Sequence, residues 1–298
     1  MRIAHSRRTW VVAVAAAGVV SAVLGFAAPP AAAPGDLSKC ERRVFSQNGE
    51  DGVIEKVFEV IQPTSRFAIE FGAGDGVKMS NMRNLILNHG WRSLMIEGDH
   101  ALAASCQQTY RGTPGVTCLE HWVYPGNVEF LFEENGVPQD LDLLVIDIDG
   151  FDYWVWKVIY EYRPKLVMIE INGTFAPPIK AIVEYNPFLY WDGSFYHGAS
   201  LQSMYELGKR KGYELVYVEK QGANAFFVDR KYYPRFGLKD NSPARLYPAT
   251  IRNAITPDRL GRYIDEKGYI RSTRLPFYNA TPLHRDAATV EKRWILGR

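Results

Sequence analysis

Along the first three-quarters of the chain, short apolar runs and helical stretches take turns, and no other feature restricts the fold as much. Residues 67–71, 92–97, 116–119, 141–147 and 166–171 read as strands. Residues 53–61, apolar at 53, 54, 57, 58, 60 and 61 and closed by Pro63, read as a helix, as do 81–89 and 153–160. Strands separated by helical crossovers pair in parallel, with helices on both faces. Ser200 caps a further predicted helix that runs to about Arg210, and two strands follow at 213–218 and 225–229. The Lys220-Gln221-Gly222 link between them is too short for a crossover, so this last pair is antiparallel. The expectation is an α/β, doubly wound, seven-stranded sheet: five parallel strands plus a terminal antiparallel hairpin.

The chain has 298 residues, 47% hydrophobic and 23% charged, which excludes disordered, collagen-like and coiled-coil classes. Three segments are expected. Residues 1–33 read as a signal peptide or membrane anchor: Arg2, Arg7 and Arg8 precede an uncharged, mostly apolar stretch at 10–28. The domain at 40–230 would then lie outside the cytoplasm, because basic flanks stay inside. Residues 231–298 form a proline-broken, basic C-terminal extension. Lys and Arg number 15 against 6 Asp and Glu from Arg230 onward, a charge of +9, which leaves −7 for residues 1–229. Cys40, Cys106 and Cys118 lack metal-ligand spacing, and a single Cys106–Cys118 disulfide is compatible with export.

Chemistry concentrates where the predicted strands end. The first runs into Glu70-x-Gly72-x-Gly74-x-Gly76, a turn whose glycines let backbone approach a ligand closely. A dinucleotide turn would carry its third glycine at the position of Val77, and carboxylates at Glu70 and Asp75 would repel a pyrophosphate. A positively charged cofactor suits this turn better. Glu97 closes the second strand, 21 residues after Gly76, where a carboxylate can accept hydrogen bonds from ribose hydroxyls.

The fourth strand ends in Asp147-Ile148-Asp149-Gly150-Phe151-Asp152, and the fifth carries Glu170 and Asn172 two residues apart. Acids at the end of a buried parallel strand are costly unless they face the crevice at its carboxyl edge. Three readings stand side by side. The acids orient a substrate or cofactor, they hold Mg²⁺ or Ca²⁺ through Asp147, Asp149, Glu170 and Asn172, or Asp149 and Asp152 only cap the next helix. The metal is the less favoured of these, and chelator-insensitive chemistry is expected. His197, just before a predicted helix on the same edge, is the candidate proton acceptor together with Asp147. Eight aromatics, Trp154, Trp156, Tyr185, Phe188, Tyr190, Trp191, Phe195 and Tyr196, are available to wall an acceptor pocket.

Taken together, residues 46–52 (Ser-Gln-Asn-Gly-Glu-Asp-Gly), 70–76, 95–99, 143–150 and 224–228 resemble class I S-adenosylmethionine-dependent methyltransferases, most nearly the FkbM-like family. The resemblance implies a Rossmann-like fold and S-adenosylmethionine as cofactor. It implies that Gly72, Gly74 and Gly76 surround that cofactor, that Glu97 holds its ribose and that Asp147 borders the methyl donor. Glu70 is a further candidate contact, through an ammonium or an ordered water. The activity implied is O-methylation of a hydroxyl on a glycan, secondary metabolite or other small molecule. The chain departs from the pattern at Val145 and Asp149, where Lys and Glu are common, which leaves the acceptor half less defined. Nucleic acid is not an expected partner, a membrane contact would come through the N-terminal segment, and the oligomeric state is open.

The rival from another class is an exported, non-catalytic binding or envelope protein on the same scaffold, whose basic C-terminal end holds anionic glycan or lipid headgroups. A nicotinamide-dependent oxidoreductase ranks third because of Val77. Export would separate an enzyme from a cofactor made in the cytoplasm, so the location matters to the choice. A reporter fused after Lys39 is expected to read as extracytoplasmic; a cytoplasmic signal from intact fusion protein would contradict the topology.

Overall fold

The computed structural model describes residues 36–183, 185–187, 191, 197–249 and 277–278. The stretch at 10–28 lies outside them, as do most of 231–298 and the aromatics Phe188, Tyr190, Phe195 and Tyr196. No helix among the described residues is long and apolar enough to cross a membrane.

Seven strands form one sheet: β1 (Phe67–Phe71), β2 (Arg92–Glu97), β3 (Val116–Glu120), β4 (Leu143–Ile146), β5 (Leu166–Glu170), β7 (Tyr213–Val218) and β8 (Asn224–Asp229), in the spatial order β3-β2-β1-β4-β5-β8-β7. The first five are parallel, and β8 is antiparallel to both β5 and β7. This is the Rossmann-like, doubly wound arrangement expected, with the hairpin seated on the β5 side. The two-residue strand β6 (Ile182–Val183) pairs separately with β9 (Phe277–Tyr278).

Both faces of the sheet are covered, and strand alternation decides which residue meets which face. Ile69, Leu144, Ile146, Val167 and Phe227 pack with α4 (Val128–Glu134), α5 (Asp152–Val158) and α6 (Leu201–Lys211). Ala68, Leu143, Val145, Met168 and Phe226 pack with α1 (Glu50–Ile61), α2 (Arg83–His89) and Cys106 of α3 (His100–Thr109). Among the described residues Trp156 is the largest fully buried side chain, its ring 5.0 Å from that of Phe227. Trp154, two residues away, is partly buried against the same core and donates its indole N–H to the Val183 carbonyl. The core continues past residue 230, because Phe236 and Tyr247 are both buried in it.

Two helices escape the sequence pattern. In α3 only Ala103 and Cys106 are buried, too few for a 3.6-residue period to show. It starts at Asp99, whose carboxylate accepts a hydrogen bond from the Leu102 N–H as an N-cap. In α4 the apolar positions Val128, Leu131 and Phe132 have the right spacing, but the helix is only seven residues long. A short α7 (Pro243–Leu246) follows the sheet.

At the edge opposite the candidate site, buried Asp142 is surrounded by donors. Its carboxylate accepts from the backbone N–H groups of Thr64, Ser65 and Arg66 and lies 3.2 Å from the Lys165 ammonium. Removing one partner of a buried pair of this kind costs on the order of 3–5 kcal/mol, so Asp142 belongs to stability.

Candidate active site

The chain enters the sheet at β1, winds outward to β3, then returns to β4 on the other side of β1. The loops after β1 and β4 therefore diverge at the carboxyl edge of the sheet and leave a crevice, the usual ligand position in open α/β sheets. The glycine turn and the acids are the contents of those two loops.

The three glycines do three different jobs. All have positive φ, at 68°, 56° and 70° for Gly72, Gly74 and Gly76. A Cβ on Gly72 would lie 1.8 Å from the Asp147 carbonyl oxygen, so this glycine lets the two loops touch. A Cβ on Gly76 would meet Tyr110 and the Cys106 sulfur within 3 Å, and the Tyr110 hydroxyl donates to the Gly76 carbonyl at 2.7 Å. A Cβ on Gly74 would meet nothing within 4 Å. Of the three, only Gly74 opens onto free space.

Glu97 sits beside that opening and does something the sequence did not announce. One carboxylate oxygen accepts from the Gly74 N–H and the other from the Asp99 N–H, both at 2.8 Å. The acid at the end of β2 thus holds the glycine turn, and each oxygen keeps a second lone pair for a ligand hydroxyl. Asp75 folds back to cap the turn through the N–H groups of Val77 and Lys78.

Glu70 has a different place from the one expected. It is 3% exposed, and its carboxylate is taken up by the Ser80 hydroxyl and by the backbone and side-chain N–H groups of Asn81. Through those bonds it pins the approach to α2. Burial raises its pKa to about 7 despite those donors.

After β4 the three aspartates separate by role. Asp152 is fully buried and accepts from the N–H groups of Ile148 and Gly150, which closes the loop from inside. It caps its own loop, while Phe151 occupies the N-cap of α5. Asp149, at φ 55°, is exposed and Asp147 half-buried, and both carboxylates come together with that of Glu170 so that one oxygen of each lies within 4.8 Å of the others. Burial first, then repulsion by Glu170, Asp152 and Asp149, holds the Asp147 carboxyl well above the usual range. Burial also raises Asp149, Asp152 and Glu170, the last well above its ordinary value.

His197 joins this group. Its Nδ1 is 3.4 Å from a Glu170 oxygen, and burial lowers its pKa below 6.5 against the opposing pull of Asp152 and Asp149. Asn172 does not join the acids. Its side-chain N–H donates to the His197 carbonyl, its Oδ1 accepts from the Thr174 N–H, and its own N–H donates to the Ala199 carbonyl. Asn172 is the residue that places His197 on the crevice. The Gly198 N–H adds a bond to the Gly150 carbonyl, joining the segment before α6 to the loop after β4. Exposed Trp191 lies with its ring 6.1 Å from that of His197, and Tyr185 packs on Phe151 at 5.6 Å.

No protein-family model and no curated protein matches the chain. Solved structures similar to it include the citrinin polyketide synthase CMeT domain, 12% identical with a TM-score of 0.39 over 61% of this chain. The chain spans about half of that one, 51%. An S-adenosylmethionine-dependent methyltransferase from Clostridium acetobutylicum is 11% identical, TM-score 0.37, with 59% of this chain and 87% of that one covered. The N-terminal domain of EvdMO1 with SAH bound is 13% identical, TM-score 0.40, at 62% and 80% coverage. The strand order itself, rather than these distant likenesses, carries the fold assignment.

The buried acids give folding a definite pH dependence. A carboxyl whose folded pKa is raised adds stability that is present below its unfolded value and lost as pH rises through the folded one. For Glu70 that window runs from about 4.5 to about 7. Replacement by glutamine is expected to flatten the fall in unfolding free energy across this range, by up to about 3 kcal/mol. Urea denaturation of both proteins from pH 4.5 to 8 measures it, and identical slopes would contradict the assignment.

Proposed function

We propose that the chain is an S-adenosylmethionine-dependent methyltransferase of FkbM-like type, acting on a hydroxyl of a glycan, secondary metabolite or similar small molecule. The observation that carries this reading is the opening at Gly74, a left-handed turn with free space where its side chain would be, held by a carboxylate at the end of the neighbouring strand. A dinucleotide's pyrophosphate would meet Glu97 and Asp75 there. A cationic cofactor with a ribose meets hydrogen-bond acceptors.

When bound, S-adenosylmethionine supplies a sulfonium methyl group, whose transfer to an acceptor oxygen releases one proton. Glu97 would hold the ribose through the lone pairs left after it has bound the Gly74 and Asp99 N–H groups. His197, kept neutral at pH 7 by burial, has a ring nitrogen able to take the released proton. Asn172 fixes its backbone, and the close approach of Gly72 to the Asp147 carbonyl sets Asp147 beside the glycine turn. Trp191, near His197, and Tyr185, against Phe151, would help to wall the acceptor pocket. Alignment of donor and acceptor and exclusion of water would supply most of the rate.

The Cys106–Cys118 disulfide joins α3 to β3 and backs the turn at Gly76. It supports export of the domain, since such bonds persist in oxidising compartments. The non-catalytic rival would keep the scaffold without the cofactor, so cofactor binding separates the two.

Titration calorimetry with S-adenosylhomocysteine is expected to show one site per chain. Gly74→Val, whose Cβ would meet no protein atom within 4 Å but whose branched side chain is strained at φ 56°, is expected to fold with lower stability and to lose at least about tenfold in affinity because the side chain fills the ligand space. Normal binding by the folded variant, or none by the wild type, would contradict the proposal.

A further inference from the structure

We propose that Cys106 and Cys118 are a redox-dependent positioning pair for the glycine turn: reducing their disulfide loosens the cofactor site while the rest of the sheet stays folded. The proposal rests on the methyltransferase reading only for the nature of the ligand. The bond joins α3, through Cys106, to the edge strand β3, through Cys118. Helix α3 touches the turn from both of its ends. At its start, the N–H of the N-cap residue Asp99 donates to one oxygen of Glu97, whose other oxygen accepts from the Gly74 N–H, both at 2.8 Å. At its end, the hydroxyl of the C-cap residue Tyr110 donates to the Gly76 carbonyl at 2.7 Å. Between the two, the Cys106 sulfur packs against Gly76, 2.9 Å from where a Cβ would stand.

Little else holds this helix. Of its ten residues only Ala103 and Cys106 are buried, whereas α1 buries nine of twelve. Its side-chain links to β3 are a Gln107 bond to the Cys118 carbonyl at 3.4 Å and a His100–Glu120 contact at 2.9 Å, both at exposed positions where such bonds contribute little. A disulfide between residues 12 apart in sequence ordinarily acts on the unfolded chain. This one also stands in for the apolar packing that α3 lacks, so its loss is felt first where the two ends of α3 meet Glu97 and Gly76. The β7–β8 hairpin lies at the opposite edge of the sheet, outside this network. Cys106 is 1% exposed and Cys118 half-buried, so a dithiol reductant attacks through its thiolate at the Cys118 sulfur. The Cys106 thiolate leaves and takes a proton, and the second thiol of the reductant then displaces Cys118 from the mixed disulfide. Two electrons and two protons have passed to the pair, and the reductant has become a disulfide.

The test uses the full chain carrying Cys40→Ser, which leaves the pair as its only cysteines, either oxidised or reduced with dithiothreitol. Amide hydrogen exchange is read by peptide mass spectrometry without ligand. On reduction it is expected to quicken at least about tenfold over residues 72–78 and 97–110 and to stay unchanged over 213–229. Titration calorimetry with S-adenosylhomocysteine is expected to show at least about fivefold weaker binding by the reduced chain, and Cys106→Ala/Cys118→Ala to match it. In Tyr110→Phe, where α3 has lost its hydroxyl tie to Gly76, reduction is expected to change affinity less than in the parent. Unchanged exchange over 72–78, equal quickening over 213–229, or equal affinity of the two redox states would overturn the proposal. Absence of binding by the oxidised chain would contradict the methyltransferase reading instead, and the ligand-free exchange measurement would still decide this one.

Discussion

The close approach of Gly72 to the carbonyl of Asp147 is the constraint on which the crevice depends. β1 and β4 pair up to Phe71 and Ile146, and the next residue of each strand enters a loop that leads to opposite sides of the sheet. With a Cβ at Gly72 only 1.8 Å from the Asp147 oxygen, no other residue allows the two loops to meet before they part. That contact sets the glycine turn and the acid cluster side by side. The opening at Gly74, the hold of Glu97 on its N–H and the position of Asp147 all follow from it.

A second division runs through the carboxylates. Acids that serve the fold are saturated by backbone donors, as Asp142 and Asp152 are, and their burial is offset by those hydrogen bonds. Acids on the crevice are crowded against one another, as Asp147, Asp149 and Glu170 are, while raised pKa is common to both groups, since buried Glu70 and Asp152 are raised as well. Perturbed groups gathered in a cleft mark functional sites more often than structural ones. In this chain the contrast lies within one motif, where Asp152 secures the loop that presents Asp147 and Asp149.

Much of this was legible in the sequence for physical reasons. Buried parallel strands must be apolar on both faces, so acids at 147 and 170 could only stand at strand ends, and the short 220–222 link could only close a hairpin. The sequence could not show how hydrogen bonds would be shared out. Glu70 sits on β1 like a ligand contact, yet Ser80 and Asn81, ten residues on, take its oxygens. Asn172 shares an edge with the acids, but its amide serves the backbone of His197, a pairing across 25 residues. Helix α3 hid because only two of its residues are buried, and the aromatics at 188–196 fall mostly outside the described residues.

A crystal structure of the full chain grown with S-adenosylhomocysteine tests the central claim most directly. The account predicts the ligand in the crevice between the loops after β1 and β4, its ribose hydroxyls on Glu97 and its chain passing over Gly74. Density for the ligand elsewhere on the molecule, or a dinucleotide seated on the glycine turn in its place under competition, would contradict it.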